Sequence, residues 1–579
     1  MSGIAGWVGD ADPAVLEAML GAIDYRGDAI DRFDAPGVAL GYRWWRGRPG
    51  KSPGIHRDGP NALACAGTLA PPVASPAAEL LARLQQAPAR TGDLDGAFGA
   101  AWWNGERRML TLLRDPFGVR SLYYVQHAGA LFFATELKQL LAVPGLPVEA
   151  DPAAIHKYLT FSFVPGDAVP VRGVRRLLPG HCAEVSGATV RTAPYFVLQE
   201  EIDPALEDQA AAVRAVRDAL RTAVSKRLNG EREVGLYLSG GIDSSGVAVW
   251  LREAGANVRA FTLDFGAASV EREEAAAVAA HLGIPLQRVE AGGALIAAAL
   301  DDLVWKLDLP FGDPVTGPLY LLGCAARAAG LSAVFNGEGG DQLFGGWTSK
   351  PMVAATVYGN LYEDEDLSRE AQYLRSYHRF YGLEDELYSP GFHAEIGAPG
   401  QRRALLAPYL GGGAAHSFLG RVRLADIALK GSQNILPRAE RMANAFALDA
   451  RVPLFDRALA TLAFRLPPQQ KLRGASEKHV IKLALQKALP TEIVWRRKYG
   501  MSVPATGWLL GPLAARVEDL LGDEAVKRRG LFRPEFVARL RRGEPLPGDP
   551  RRRRIGERLW ALVMLEAWLR RFVDRRGQP

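Results

Sequence analysis

Short apolar runs that end in glycine-rich polar turns are the clearest pattern along this chain. Val234 to Leu238 runs into Ser239-Gly240-Gly241-Ile242-Asp243-Ser244-Ser245 and then into a helix-like stretch. That succession predicts a strand, a tight turn and a helix N-terminus. Ala333-Val334-Phe335 repeats the arrangement, entering Asn336-Gly337-Glu338-Gly339-Gly340-Asp341-Gln342-Leu343-Phe344-Gly345-Gly346. Residues 349–435 carry mostly helical spacing, with breaks at Ser389-Pro390-Gly391 and Gly411-Gly412-Gly413. Between Arg558 and Arg571, Leu559, Leu562, Leu565, Trp568 and Leu569 recur at helical intervals, as a packing face rather than a membrane face. Pro194, Pro204 and acidic residues interrupt the hydrophobic pattern from Ala193 to Asp208, which places a linker there. There is no internal repeat.

The first turn has the makings of an anion site. Gly240 and Gly241 let backbone approach phosphate oxygens, Ser239, Ser244 and Ser245 bring hydroxyl donors, and first-turn N–H groups carry partial positive charge. Asp243 adds a hard oxygen ligand for Mg2+. The Gly-Lys-Ser/Thr ending of a Walker A loop is missing. The Ser-Gly-Gly-x-Asp-Ser spacing instead resembles the pyrophosphate loop of ATP-pyrophosphatases, which split ATP between its α and β phosphates. Asp341 in the second turn is either a helix N-cap or a second Mg2+ ligand. In a parallel sheet both loops would face one crevice, so Asp243 and Asp341 could share an ion that bridges the phosphates.

Later blocks make the resemblance specific. Arg441-Met442-Ala443-Asn444 through Asp449-Ala450-Arg451-Val452-Pro453-Leu454-Phe455-Asp456 is followed by Glu477-Lys478-His479 and by Trp495-Arg496-Arg497-Lys498-Tyr499-Gly500. With Thr262-Leu263-Asp264-Phe265, Glu271 and Pro310-Phe311-Gly312-Asp313-Pro314, these resemble the synthetase domain of the asparagine synthetase family, from about residue 205 to 579. Residues 1–195 resemble that family's glutaminase domain, through Ser2-Gly3-Ile4-Ala5-Gly6, Leu94-Asp95-Gly96-Ala97-Phe98, Arg114-Asp115-Pro116-Phe117-Gly118 and Phe132-Phe133-Ala134-Thr135-Glu136-Leu137-Lys138. The family's nucleophilic cysteine is replaced by Ser2. Its Asn-Gly-Glu glutamine clamp reads Cys65-Ala66-Gly67-Thr68-Leu69-Ala70, and Trp44 stands where an arginine is expected. An N-terminal serine serves as nucleophile in other hydrolases, but the joint loss of nucleophile, amide clamp and carboxylate clamp argues against glutamine as the nitrogen donor.

The resemblance implies an α/β protein. An Ntn-type αββα sandwich is followed by a doubly wound parallel sheet of the adenine nucleotide hydrolase type, with ATP at the strand carboxyl ends, Leu263 near adenine and Gly337 in the nucleotide site. It implies a carboxylate attacking the α-phosphorus of ATP, pyrophosphate leaving, and an amine attacking the acyl-adenylate. Lys498 takes the place of the catalytic lysine, Lys478 lies near pyrophosphate, and Glu338 matches an acidic position beside the adenylate, where it orients or deprotonates the amine. His479 and Arg441 read as structural. Family members that keep the scaffold but lose the cysteine and clamp include β-lactam synthetases and lasso peptide cyclases. The former carry tyrosine at the position of Glu338, so the chain is more similar to a lasso cyclase, whose partners would be a precursor peptide and a leader peptidase. An ammonia-dependent asparagine synthetase, another small-molecule amide ligase and a non-catalytic binding module are the rival readings.

Composition narrows the picture little. With 579 residues, 48% hydrophobic and 23% charged, the chain is globular and exceeds one ordinary core. No run of 18 apolar residues and no charged-then-apolar export signal are present, so no membrane and a cytoplasmic location are expected. Cys65, Cys182 and Cys324 read as buried free thiols, and the nine histidines show no ligand spacing. The net charge of +6 is concentrated at Arg541-Arg542 and Arg551 to Arg554, flanking a proline-rich loop. That loop is either a solvated surface or a dock for an acidic partner, and without interleaved aromatics it does not suit nucleic acid.

Overall fold

A computed structural model describes residues 2–47, 54–86, 92–269, 271–346, 352, 368–396, 401–474, 476–496, 502–546 and 552–575. Among the described residues, twelve strands build two stacked antiparallel sheets: β1 (Ser2–Gly9), β2 (Ala29–Ala35), β3 (Val38–Trp44), β4 (Ile55–Asp58), β5 (Asn61–Leu69), β6 (Gly96–Asn104), β7 (Met109–Arg114), β8 (Tyr123–His127), β9 (Ala130–Ala134), β10 (Arg175–Arg176), β11 (His181–Ser186) and β12 (Thr189–Pro194). One sheet runs β10-β8-β9-β1-β3-β2, the other β12-β11-β7-β6-β5-β4. Period-two alternation explains the layering. Ile4 and Leu40 point to the shared interior with Ala64 and Leu112, while Ala5, Trp7 and Ala39 face outward under Leu16, Met19 and Leu20 of the helix Ala14–Gly21. On the opposite face, the helix Pro76–Gln86 covers Leu63, Cys65 and Phe98. The result is the expected four-layer αββα sandwich.

The second half is wound differently. β13 (Glu233–Tyr237), β14 (Asn257–Asp264), β15 (Leu286–Glu290), β16 (Ala333–Phe335) and β17 (Asp449–Arg451) form a parallel sheet in the order β15-β14-β13-β16-β17. Near-continuous apolar strands such as Ala333-Val334-Phe335, each no more than 1% exposed, suit a sheet covered on both faces. The chain moves outward from β13 through β14 to β15, then returns to β16 on the other side of β13. That reversal makes the gap between β13 and β16 the topological switch point, where doubly wound sheets open a crevice.

The break expected at Ser389-Pro390-Gly391 falls between the helices Glu384–Leu387 and Pro390–Glu395, the second capped by Ser389 Oγ, which accepts from Phe392 N at 3.1 Å. Other details depart from the sequence expectation. Asp426 to Ile435 forms a π-helix inside the expected helical region. Cys65 is buried and Cys182 half-buried, but Cys324 is exposed, so three buried thiols are not what the fold contains. The C-terminal face behaves as expected: Leu559, Leu562, Leu565, Trp568 and Leu569 are each at most 1% exposed along Arg552–Trp568 and its π-helical continuation. No helix among the described residues is long and apolar enough to cross a membrane. The centre of the basic loop, residues 547–551, lies outside the described residues.

Buried charges join the two halves. Arg26 pairs with Glu136 and, at 3.0 Å, with Glu440. Glu440 also pairs with Arg120, and Arg441 reaches Glu136 at 3.3 Å and Asp308 at 3.1 Å. Burial by itself would raise the Glu440 carboxyl, but Arg26 and Arg120 hold it below the usual carboxylate range. Asp95 reaches across too, meeting Arg227 at 3.2 Å.

Candidate active site

At the switch point the loops after β13 and β16 touch. A Cβ on Gly337 would lie 2.5 Å from Ser244 N, so only glycine permits this approach. Ser239, Gly241, Asp243, Ser244, Leu263, Gly337, Glu338, Asp341 and Lys478 line one cavity of about 400 Å3. The first loop is braced from within. Gly241 N donates to Ser239 Oγ at 3.2 Å, Ser239 N donates to Ser244 Oγ at 3.2 Å, and Ser244 Oγ donates to Gly241 O at 3.2 Å.

Two residues expected in the nucleotide loop stand elsewhere. Ser245 is fully buried off the cavity wall, and its Oγ finds no partner among the described residues, so its hydroxyl is not offered to a phosphate. Gly240 does not line the cavity either. Its φ of 71° and its close contact with Glu274 and Ala275, 2.6 Å from an added Cβ, show that it admits the helix Arg272–Leu282. Ser2 belongs to the other half of the chain, at the start of β1. Lys498 lies outside the described residues.

Charge sets the character of the site. Lys478 Nζ pairs with Asp243 and lies 2.5 Å from Asp341 Oδ1. Burial would lower this lysine, but the adjacent Asp243 and Asp341 carboxylates raise it above its ordinary value. Glu338 is pushed up chiefly by burial, against the pull of Arg438, with Asp341 and Asp243 adding to the rise. A carboxylate held high is a stronger proton acceptor than an ordinary glutamate. Arg438 is itself fixed by Asp313 at 3.0 Å. Asp243 and Asp341 supply hard oxygens to one point, and Asp243 Oδ1 is a buried oxygen with no partner among the described residues. That donor set fits Mg2+.

The cavity also contains residues to which the sequence assigned no role. Lys482 lies on the helix His479–Leu485, which Lys478 precedes, and reaches the same cavity. Glu477 and Arg496 belong to the same conspicuous blocks as Lys478 and Lys498, and Arg496 pairs with Glu274 at 3.3 Å. Lys430 comes from the π-helix and Met442 from the helix Leu436–Asn444, and no local signal places either there.

At Ser2 the picture is the reverse. Ser2 is 5% exposed and sits beside Tyr42, whose phenol burial pushes up to about 12. Trp44 is the direct cross-strand neighbour of Ser2 and stacks on Tyr42 at 6.5 Å.

The fold and the cavity together define a nucleotide-dependent synthetase with a pyrophosphate-type loop at its switch point. The chain belongs to the asparagine synthase family, whose model matches residues 215–570, and a glutamine amidotransferase domain model matches residues 79–196. A Mycobacterium tuberculosis protein provisionally named asparagine synthetase (glutamine-hydrolyzing) is 29% identical over 72% of this chain and 68% of its own. Asparagine synthetase (glutamine-hydrolyzing) 1 of Bacillus subtilis is 25% identical over 84% of this chain and 79% of its own. Amidase chyE of Penicillium rubens is 31% identical over 44% of this chain and 40% of its own. The protein is thus an ATP-dependent carbon–nitrogen ligase that forms AMP and pyrophosphate.

Proposed function

We propose that this enzyme closes a macrolactam in a lasso precursor peptide, joining the peptide's N-terminal amine to an Asp or Glu side chain. The side-chain carboxylate oxygen attacks the α-phosphorus of ATP and the bond to the β-phosphate oxygen breaks, releasing pyrophosphate. The amine then attacks the acyl carbon, AMP leaves, and the amine proton passes to Glu338. Asp243 and Asp341 would hold Mg2+, which neutralises phosphate charge when bound. Lys478 and Lys498 offset charge on pyrophosphate and on the adenylate.

The observation that carries this reading is the state of Ser2. Ser2 is buried beside Tyr42, and Trp44, its cross-strand neighbour, occupies the position where the family resemblance expects a glutamine-holding arginine. With glutamine hydrolysis unsupported, the nitrogen must come from an amine that enters the synthetase cavity itself. On this reading residues 1–195 are a glutaminase-like domain without glutaminase activity, and residues 205–579 form the synthetase domain, acting in the cytoplasm.

Asparagine synthesis from free ammonia is the second reading; the Mycobacterium and Bacillus relatives are named asparagine synthetases, though glutamine-hydrolyzing ones. Pyrophosphate release from Mg-ATP separates the two. Release that depends on aspartate and ammonium, with asparagine formed, would overturn the cyclase reading. Release that depends on a precursor peptide, with the peptide losing the mass of one water, supports it.

A further inference from the structure

Lys478 precedes the helix His479–Leu485 with its backbone in the left-handed region, at φ 54° and ψ 34°. Side chains bearing a Cβ rarely adopt that conformation, and here it aims a 1% exposed side chain into the cavity. Its ammonium meets Asp243 and Asp341 together. Both carboxylates are backed by glycine: a Cβ on Gly340 would fall 2.0 Å from Asp243 Oδ1, and one on Gly346 would fall 2.1 Å from Asp341 Oδ1. The two acids therefore converge on one point, and Lys478 fills it. A divalent cation needs the same oxygens, and like charges cannot share them at contact distance.

We propose that Lys478 makes metal loading conditional on nucleotide. Its ammonium holds the Asp243–Asp341 pair against a free divalent cation and yields it to a metal–nucleoside triphosphate complex. The inference rests on reading these acids as Mg2+ ligands for ATP. Driven off by metal alone, the ammonium would be left buried without a counter-charge, which is strongly unfavourable. Polyphosphate oxygens in the same cavity give it a replacement partner and remove that penalty. Lys482, also on the cavity wall, adds a second cation from the helix that Lys478 precedes. Lys478 thereby selects the complex over the bare ion.

Mn2+ binding to the full chain, followed by electron paramagnetic resonance, tests this with wild type, Lys478→Met and Lys478→Arg, each with and without α,β-methylene-ATP. Without nucleotide, Lys478→Met should bind Mn2+ about tenfold tighter than wild type or better, because apparent affinity falls with the fraction of molecules whose site is free. Lys478→Arg should stay at the wild-type level, and the analogue should bring wild type up to Lys478→Met. Equal nucleotide-free affinity in wild type and Lys478→Met overturns the inference and leaves the metal reading standing. Absence of Mn2+ binding in every protein, even with the analogue, removes the metal reading and the inference with it. If Lys478→Met does not fold, wild type decides alone: Mn2+ affinity indifferent to the analogue overturns the proposal.

Discussion

At the carboxyl ends of β13 and β16, Asp243, Glu338, Asp341 and Lys478 face a cavity of about 400 Å3. At the start of β1, Ser2 is buried beside the stacked rings of Tyr42 and Trp44. Both places are strand ends on intact scaffolds, but the first gathers charged groups around a cavity while the second packs Ser2 against aromatic rings. The αββα sandwich is maintained by apolar alternation, as in Ile4 against Ala5 and Trp7, and that pattern does not depend on the residue at position 2. On the proposed reading the sandwich is kept without glutaminase chemistry, since a fold does not fix a function. What the N-terminal half contributes to the synthetase half is visible at the seam, where Arg26, Arg120 and Glu136 engage Glu440 and Arg441 on the helix whose Ala439 and Met442 line the cavity.

The contrast breaks most sharply at Lys498. Lys498→Ala should cut substrate-dependent pyrophosphate formation by about a thousandfold, as loss of a transition-state charge contact does, while ATP still binds. Retained turnover in a pyrophosphate assay would move the chemistry away from this lysine. Glu338→Gln is the next largest effect: amide formation should fall by about a hundredfold through loss of the proton acceptor, with adenylation read by pyrophosphate exchange largely spared. Because burial raises Glu338, the wild-type rate of amide formation should decline on acidification above the ordinary glutamate range, and that acid limb should vanish in Glu338→Gln.

Removing a charge at the seam tests the other side of the comparison. Glu440→Ala leaves Arg26 and Arg120 without their shared partner, which should lower stability by about 3–5 kcal/mol in urea unfolding. The pH dependence has a definite sign. Glu440 is depressed in the folded protein, so its contribution is complete above the unfolded glutamate value of about 4.3 and is lost progressively below it, as pH falls through the lower folded value. Wild type should lose stability steeply below that pH and Glu440→Gln much less so. Ser2→Ala should do least, altering pyrophosphate and amide formation by less than about twofold and stability by no more than about 0.5 kcal/mol. A large loss of product from glutamine in Ser2→Ala would restore a chemical role to the N-terminal half.

By itself, the sequence determined the local units: a strand, a glycine turn and a helix at Val234 to Ser245, a second strand and acidic turn at Ala333 to Gly346, and a packing face along the C-terminal helix. These are written in periodicity and in glycine placement, which act over a few residues. Tertiary structure decided which strands are neighbours and where each side chain points. Only the order β15-β14-β13-β16-β17 brings Asp243 to Asp341. Only packing turns Gly240 toward the helix Arg272–Leu282 and Ser245 into the core, and brings Lys430 and Met442, from distant helices, to the nucleotide crevice. The insertion of Lys478 between two carboxylates belongs to the same class, because the partners of a buried charge are chosen by the whole fold and leave no mark on its immediate neighbours in sequence.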